Sequence, residues 1–135
     1  MTDNNENQIN SRKNKPVKKK LLFTFRHAPY GSSIARDGLD ALLAASAYGQ
    51  DLSVLFMGDG VFQLLTDQQS SDISAKSLSA TLPALPIYDI DQIYVQESAL
   101  IERGLQNQTL VLDAQVLNDQ AVRALMLKQE GVLSF

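Results

Sequence analysis

Apolar residues in this chain fall into short continuous runs, separated by segments with helical periodicity. Leu21–Phe25 (LLFTF) is almost unbroken, the pattern of a parallel strand covered on both faces. Pro29, Gly31 and Ser32–Ser33 then make a loop, in which a serine can cap the next helix. The periodicity predicts that helix over Ile34–Tyr48 and a second strand over Asp51–Met57. Gly58-Asp59-Gly60 reads as a turn, followed by a short helix, Val61–Leu65, with Val61, Leu64 and Leu65 on one face and Phe62 off it. A polar loop, Thr66–Asp72, leads to a helix over Ile73–Leu82 that Pro83 ends. Pro83 and Pro86 bracket a tight connection to a third strand, Gln92–Gln96. Ser98–Arg103 reads as a short helix with Gly104 at its C′ position. A fourth strand is expected at Leu110–Asp113. Asn118 or Asp119 caps a helix running to Gln129 with Val122, Leu125 and Met126 inward, and Val132–Phe135 is a fifth strand. Strands alternate with helices and no hairpin signal or internal repeat is present. The class expected is a single α/β domain with a roughly five-stranded, mainly parallel sheet.

The first helix is unusual when plotted at about 100° per residue. Arg36, Asp37 and Asp40 share one narrow sector. Gly38, Ala41, Ala45 and Gly49 form a smooth stripe, and Leu39, Leu42 and Leu43 a bulkier one. One stripe suffices to cover a sheet. Two readings fit the second: a partner chain covers it, or the helix is simply well buried. On the first, Leu39, Leu42 and Leu43, with Phe62 and Tyr88, are candidate interface residues.

Charge divides the chain in two. Residues 1–20 carry six basic side chains against Asp3 and Glu6, a net of +4. The whole chain is at −3, so residues 21–135 carry −7. Residues 1–18, rich in Asn, Gln and Lys, read as a disordered basic polar tail, and 19–135 as the domain. An acidic body is a poor docking surface for nucleic acid, whose affinity comes mainly from phosphate neutralisation. No apolar run approaches the roughly 18 residues of a membrane span, and the N-terminus lacks the apolar core of a secretory signal. The chain has no cysteine, which excludes disulfides and thiol catalysis.

Candidate chemistry is sparse. Ligands of open α/β sheets bind beyond the C-terminal strand ends. Three segments are expected there: Arg26–Ser33, Gly58–Gly60 and the chain from Gln96. Ser32, Ser33 and helix N-terminal amides could hold an anion, but neither GxGxxG nor a Walker A pattern accompanies them. His27 is the only histidine and cannot by itself make a metal site. Arg26 and Arg36 are candidate ion-pair partners for Asp59 or Asp40, with solvated charges the default. Tyr30, Phe62 and Tyr88 read as packing or interface residues. No cofactor or metal is expected, and no nucleophile–base–orienter set stands out.

From Leu21 to Phe135 the chain resembles the TusC/DsrF subunits of the DsrE-like sulfur-relay family. The likeness runs through FTFRHAPYGSSIARDGLDALLAASAYGQDLSVLFMGDGVFQLL (23–65), IYDIDQIYV (87–95), SALIERGL (98–105) and the closing VLSF. It implies a three-layer sandwich, a variant of the flavodoxin-like fold. It also implies a cytoplasmic heterohexamer, a dimer of heterotrimers with TusB-like and TusD-like siblings. Such complexes relay persulfide sulfur to a TusE-like acceptor for 2-thiolation of the tRNA wobble uridine, and DsrF-like subunits serve sulfur oxidation instead. The TusD-like sibling carries its active cysteine about eight residues before the glycine of an Arg-Gly pair. Counting back from Arg103-Gly104 puts Gln96 at that place, and an amide cannot form a persulfide. The expectation is a non-catalytic structural subunit with no direct tRNA contact. A stand-alone module binding a small anion or nucleotide is the alternative.

Overall fold

The computed structural model describes residues 18–66 and 78–135. Five strands form one sheet: β1 (Lys20–Phe25), β2 (Asp51–Phe56), β3 (Gln92–Gln96), β4 (Gln115–Leu117) and β5 (Gly131–Ser134). Their spatial order is β4-β3-β2-β1-β5, and every pairing is parallel. The helices are α1 (Ile34–Ala47), α2 (Glu97–Glu102) and α3 (Asp119–Leu127), with 3-10 segments at Gly58–Leu64 and Leu82–Tyr88. None of the described helices is long and apolar enough to cross a membrane.

The strand order dictates where the helices go. From β1 through β4 each strand is laid beside the last in one direction, so right-handed crossovers put every connection on the same face. Only the return from β4 to β5 runs the other way, and its helix, α3, lies on the opposite face. The two cores match this division. Phe23, Phe25, Val54, Phe56, Ile93 and Val95 pack with Ala35, Leu39 and Leu42 of α1, both 3-10 segments, and Ala99 and Leu100 of α2. Leu22, Leu55 and Leu117, the alternate strand positions, pack with Val122 and Leu125 of α3.

Local chemistry accounts for the helix ends. Asn118 caps α3, its Oδ1 accepting from Ala121 N–H at 2.8 Å. Gly104, at φ 67°, takes the left-handed C′ position after α2, as its placement in the sequence indicates. Leu39 and Leu42 are fully buried inside the core, at 0% exposure, which removes them from the candidate interface. The bulky stripe of α1 covers its own sheet. The fold itself buries Ala35, Gly38, Leu39 and Leu42, and a partner is not needed to explain Leu39 or Leu42.

Two further expectations are corrected. The fourth strand is Gln115–Leu117, not Leu110–Asp113. Leu110 forms a lone antiparallel bridge with Leu65, and Val111 N–H donates to the Leu64 carbonyl at 2.8 Å. The apolar run Leu110–Leu112 is thus spent packing against the 3-10 segment Gly58–Leu64, and strand pairing begins three residues after it. The short helix after β2 is 3-10 and already includes the Gly58-Asp59-Gly60 turn. Of the helix expected over Ile73–Leu82, residues 73–77 lie outside the described residues, as do 1–17 of the tail. Residues 78–81 are helical, and Pro83 sits in the first turn of the 3-10 segment that continues them.

Candidate functional site

The three segments expected at the C-terminal ends of the strands do meet there. Gln63, in the 3-10 segment after β2, is buried and donates its Nε2 to the His27 carbonyl at 2.8 Å, tying that segment to the β1–α1 loop. Its Oε1 has no hydrogen-bond partner among the described residues. Gly60 presses so closely on the end of β1 that a Cβ would overlap the Phe25 carbonyl oxygen. Gln96, half-buried at the end of β3, accepts from Gly58 N–H at 3.1 Å.

The anion site that Ser32 and Ser33 suggested is answered from within the chain. Ser33 Oγ donates to Asp37 Oδ2 at 3.1 Å, and Ile34 N–H donates to Ser32 Oγ at 3.4 Å. The favourable field at the start of α1 already holds a carboxylate, that of Asp37. The crevice where the strand order reverses, beside β1 and β5, is the usual ligand position of an open α/β sheet. Here the Phe135 ring fills it, stacked on Phe23 and Phe25 with centroids 6.1 and 6.3 Å away. Phe135 also binds the end of β1 through Phe135 N–H to Thr24 O and Arg26 N–H to Phe135 O. Gly38 makes room for it, since a Cβ there would come within 2.8 Å of the Phe135 side chain. Neither feature leaves a nucleotide or phosphate cradle.

Charge pairing follows the sequence expectation at Asp40 and departs from it at Asp59. Arg36 pairs with Asp40 at 3.4 Å, one turn along α1. Asp59 is held by Arg103 rather than by Arg26 or Arg36. Its Oδ1 accepts from Arg103 Nε at 3.1 Å and Nη2 at 2.9 Å. Arg103 Nη1 donates to the Ala99 carbonyl, and the guanidinium lies 5.9 Å from the Phe62 ring centroid. No sequence signal joins Asp59 to Arg103, 44 positions apart. Gln63 carried a faint one, as the single polar residue in VFQLL.

His27 is exposed, and no group of acidic or histidine side chains suited to a metal occurs among the described residues. A shallow cleft of about 360 Å³ opens between β3 and α3, lined by Met57, Gln96, Ser98, Asp119, Val122, Arg123 and Met126. Ser98 Oγ donates there to Asp119 Oδ1 at 3.0 Å, so Asp119 orients Ser98 without any imidazole to act as base. A larger cleft, about 520 Å³, lies at the N-terminal ends of β3 and β4. Asp91 and Asp113 line it with Gln92 and Gln115, and among the described residues its lining holds no basic side chain. Of the interface candidates, Leu43 and Phe62 are half-buried, and Tyr88 is exposed.

The fold is an open parallel α/β sheet whose C-terminal loops are tied to one another through Gln63 and Gln96. Residues 19–135 match the model of the DsrE/DsrF-like family, and the chain belongs to that family. It is 45% identical over 115 residues to a "Protein TusC homolog" of Vibrio parahaemolyticus, covering 85% of this chain and 98% of that one. A "Protein TusC homolog" of Vibrio vulnificus is 41% identical over the same shares. The crystal structure of the ychN protein from E. coli superposes with a TM-score of 0.73, at 20% identity, over 88% of this chain and all of that one. That likeness concerns the fold.

Proposed function

We propose that the chain is a non-catalytic structural subunit of a TusBCD-type sulfurtransferase complex in the cytoplasm. It stands with TusB-like and TusD-like siblings in a dimer of heterotrimers. The complex passes persulfide sulfur to a TusE-like acceptor for 2-thiolation of the tRNA wobble uridine. One observation carries the reading: a chain so similar to TusC homologs has no cysteine. Sulfane sulfur moves by attack of one thiolate on another sulfur, and a chain without sulfhydryl groups can neither accept nor donate it. Gln96 stands at the strand end where the family likeness sets the sibling's cysteine, and its carboxamide is engaged with Gly58. The self-filled crevice at Phe135 and the Asp37 carboxylate at α1 weigh against a stand-alone anion or nucleotide module.

The test is reconstitution. The chain alone, incubated with a cysteine desulfurase and labelled cysteine, should acquire no reductant-sensitive label. Co-expressed with TusB-like and TusD-like chains, it should elute as one complex that takes up label on the TusD-like subunit. A chain that remains apart from both siblings overturns the subunit reading.

A further inference from the structure

The turn that leaves β2 begins with a donor its own segment cannot satisfy. The first amides of a helix have no partner within it. Met57, at the N-cap of the 3-10 segment, supplies no side-chain cap. The Gly58 amide turns instead to Gln96 Oε1, 38 positions away on the neighbouring strand. Gly58 is left-handed at φ 53°, so the backbone reaches this acceptor in a conformation that other residues adopt only with strain. On the far side of Asp59, Gly60 is pressed against the Phe25 carbonyl. The turn is therefore held at Gly60 by backbone contact, and at its start by the Met57 N–H bond to the Phe25 carbonyl at 3.0 Å and by one side chain, that of Gln96. Asp59 projects between the two holds and takes both Nε and Nη2 of Arg103 on one oxygen. Phe62, one turn on, lies beneath the same guanidinium. Arg103 closes the circuit through Ala99 O, in the helix that Gln96 itself precedes.

We infer that Gln96 is a positioning residue: its carboxamide oxygen latches the β2 turn so that Asp59 and Phe62 meet Arg103. The end of the sheet is then one preset surface instead of separate loops. A surface ordered in advance loses less entropy on association. The role of that surface in meeting a sibling rests on the subunit reading above. The latch itself does not.

Amide hydrogen exchange on the full chain, read by NMR, tests the latch. In the wild type the Gly58 amide should be protected. A freely exchanging Gly58 amide overturns the inference without any variant being made. Gln96→Leu fills the space but offers no acceptor. It should speed exchange at Gly58 by about fivefold or more, leave Val54 in the sheet unchanged, and broaden the Arg103 Nε–H resonance. Gln96→Glu keeps an acceptor oxygen and should restore both signals. Equal Gly58 exchange in the wild type and Gln96→Leu overturns the latch, and an Arg103 resonance indifferent to Gln96→Leu overturns the positioning. Recovery of the complex with its siblings should fall about fivefold in Gln96→Leu and return in Gln96→Glu. Unchanged recovery with a broken latch overturns only the docking role. Failure of the wild-type chain to assemble overturns the subunit reading and leaves the latch standing.

Discussion

On one face of the sheet, α1, both 3-10 segments and α2 enclose Phe25, Val54 and Phe56 completely; on the other, α3 covers Leu22 and Leu55 as the one described helix there. The difference follows from topology, since three crossovers advance in one direction and one returns. It shows in what each face leaves uncovered. Val132 of β5 is in register with Leu22 and shares its face, yet is 47% exposed. Leu127, at the end of α3, is 81% exposed. More elements cover the first, enclosed face than the second, thin one, yet both leave apolar surface outside the core: Ile87, in the 3-10 segment Leu82–Tyr88, is 82% exposed on the first, and Leu127 and Val132 are exposed on the second.

The sharpest break of the enclosed face is Gly60→Ala. The new methyl would overlap the Phe25 carbonyl oxygen, and backbone cannot yield as a side chain can. A loss of about 3 kcal/mol or more is expected, enough to unfold a marginal domain. Urea denaturation followed by circular dichroism measures it. A stability within about 0.5 kcal/mol of the wild type would mean that β1 and the 3-10 segment are not in this contact.

Next come matched truncations on the two faces. Leu42→Ala empties a fully enclosed site and should cost roughly 3–5 kcal/mol. Leu125→Ala, 8% exposed on the thinner face, should cost roughly 2–3 kcal/mol, because a less confined site relaxes into the space. Equal losses would erase the contrast between the faces.

The enclosed face was also the more legible in sequence. The run LLFTF, the DLSVLF strand and the leucines of α1 announce themselves by composition and period, because burial on both sides admits few polar residues, here Thr24 and Ser53. The Leu110–Leu112 run misled for the same reason. Apolar residues record burial, and burial against Leu64 and Leu65 looks in sequence like burial in a strand. Leu39 and Leu42 were ambiguous because a stripe count cannot say which surface covers a helix. The links at the sheet's end were nearly illegible, Gln63 alone standing out as the one polar residue in VFQLL. Gln96 to Gly58, Gln63 to His27 and Arg103 to Asp59 are long-range polar contacts, set by how loops converge and not by any periodicity.

A smaller effect isolates α3 itself. Asn118→Ala removes the side-chain acceptor of the Ala121 amide, and an N-cap of this kind contributes about 1 kcal/mol. Because α3 is the described cover of Leu22 and Leu55, the loss should appear as faster hydrogen exchange at Leu22 and Leu55, with Val54 and Phe56 unmoved. Parallel loss on both faces would show that they unfold as one unit.

The smallest expected effect on stability is Leu127→Gln, and it bears most directly on what the thin face is for. Leu127 already stands in water, so exchanging its apolar end for an amide should change the stability of the isolated chain by less than about 0.5 kcal/mol. If the exposed apolar surface around α3 and β5 meets a sibling, the same change introduces an amide into a dry contact. There it must find a hydrogen bond or weaken association by about 1–3 kcal/mol. Urea melts of the isolated chain and size-exclusion recovery of the co-expressed complex separate the two quantities. Lost stability in the isolated chain would place Leu127 in the fold. Unchanged stability with full recovery of the complex would leave the thin face open to solvent in the assembly and leave the surface at the end of the sheet, around Asp59, Phe62 and Arg103, as the place to look for a sibling contact.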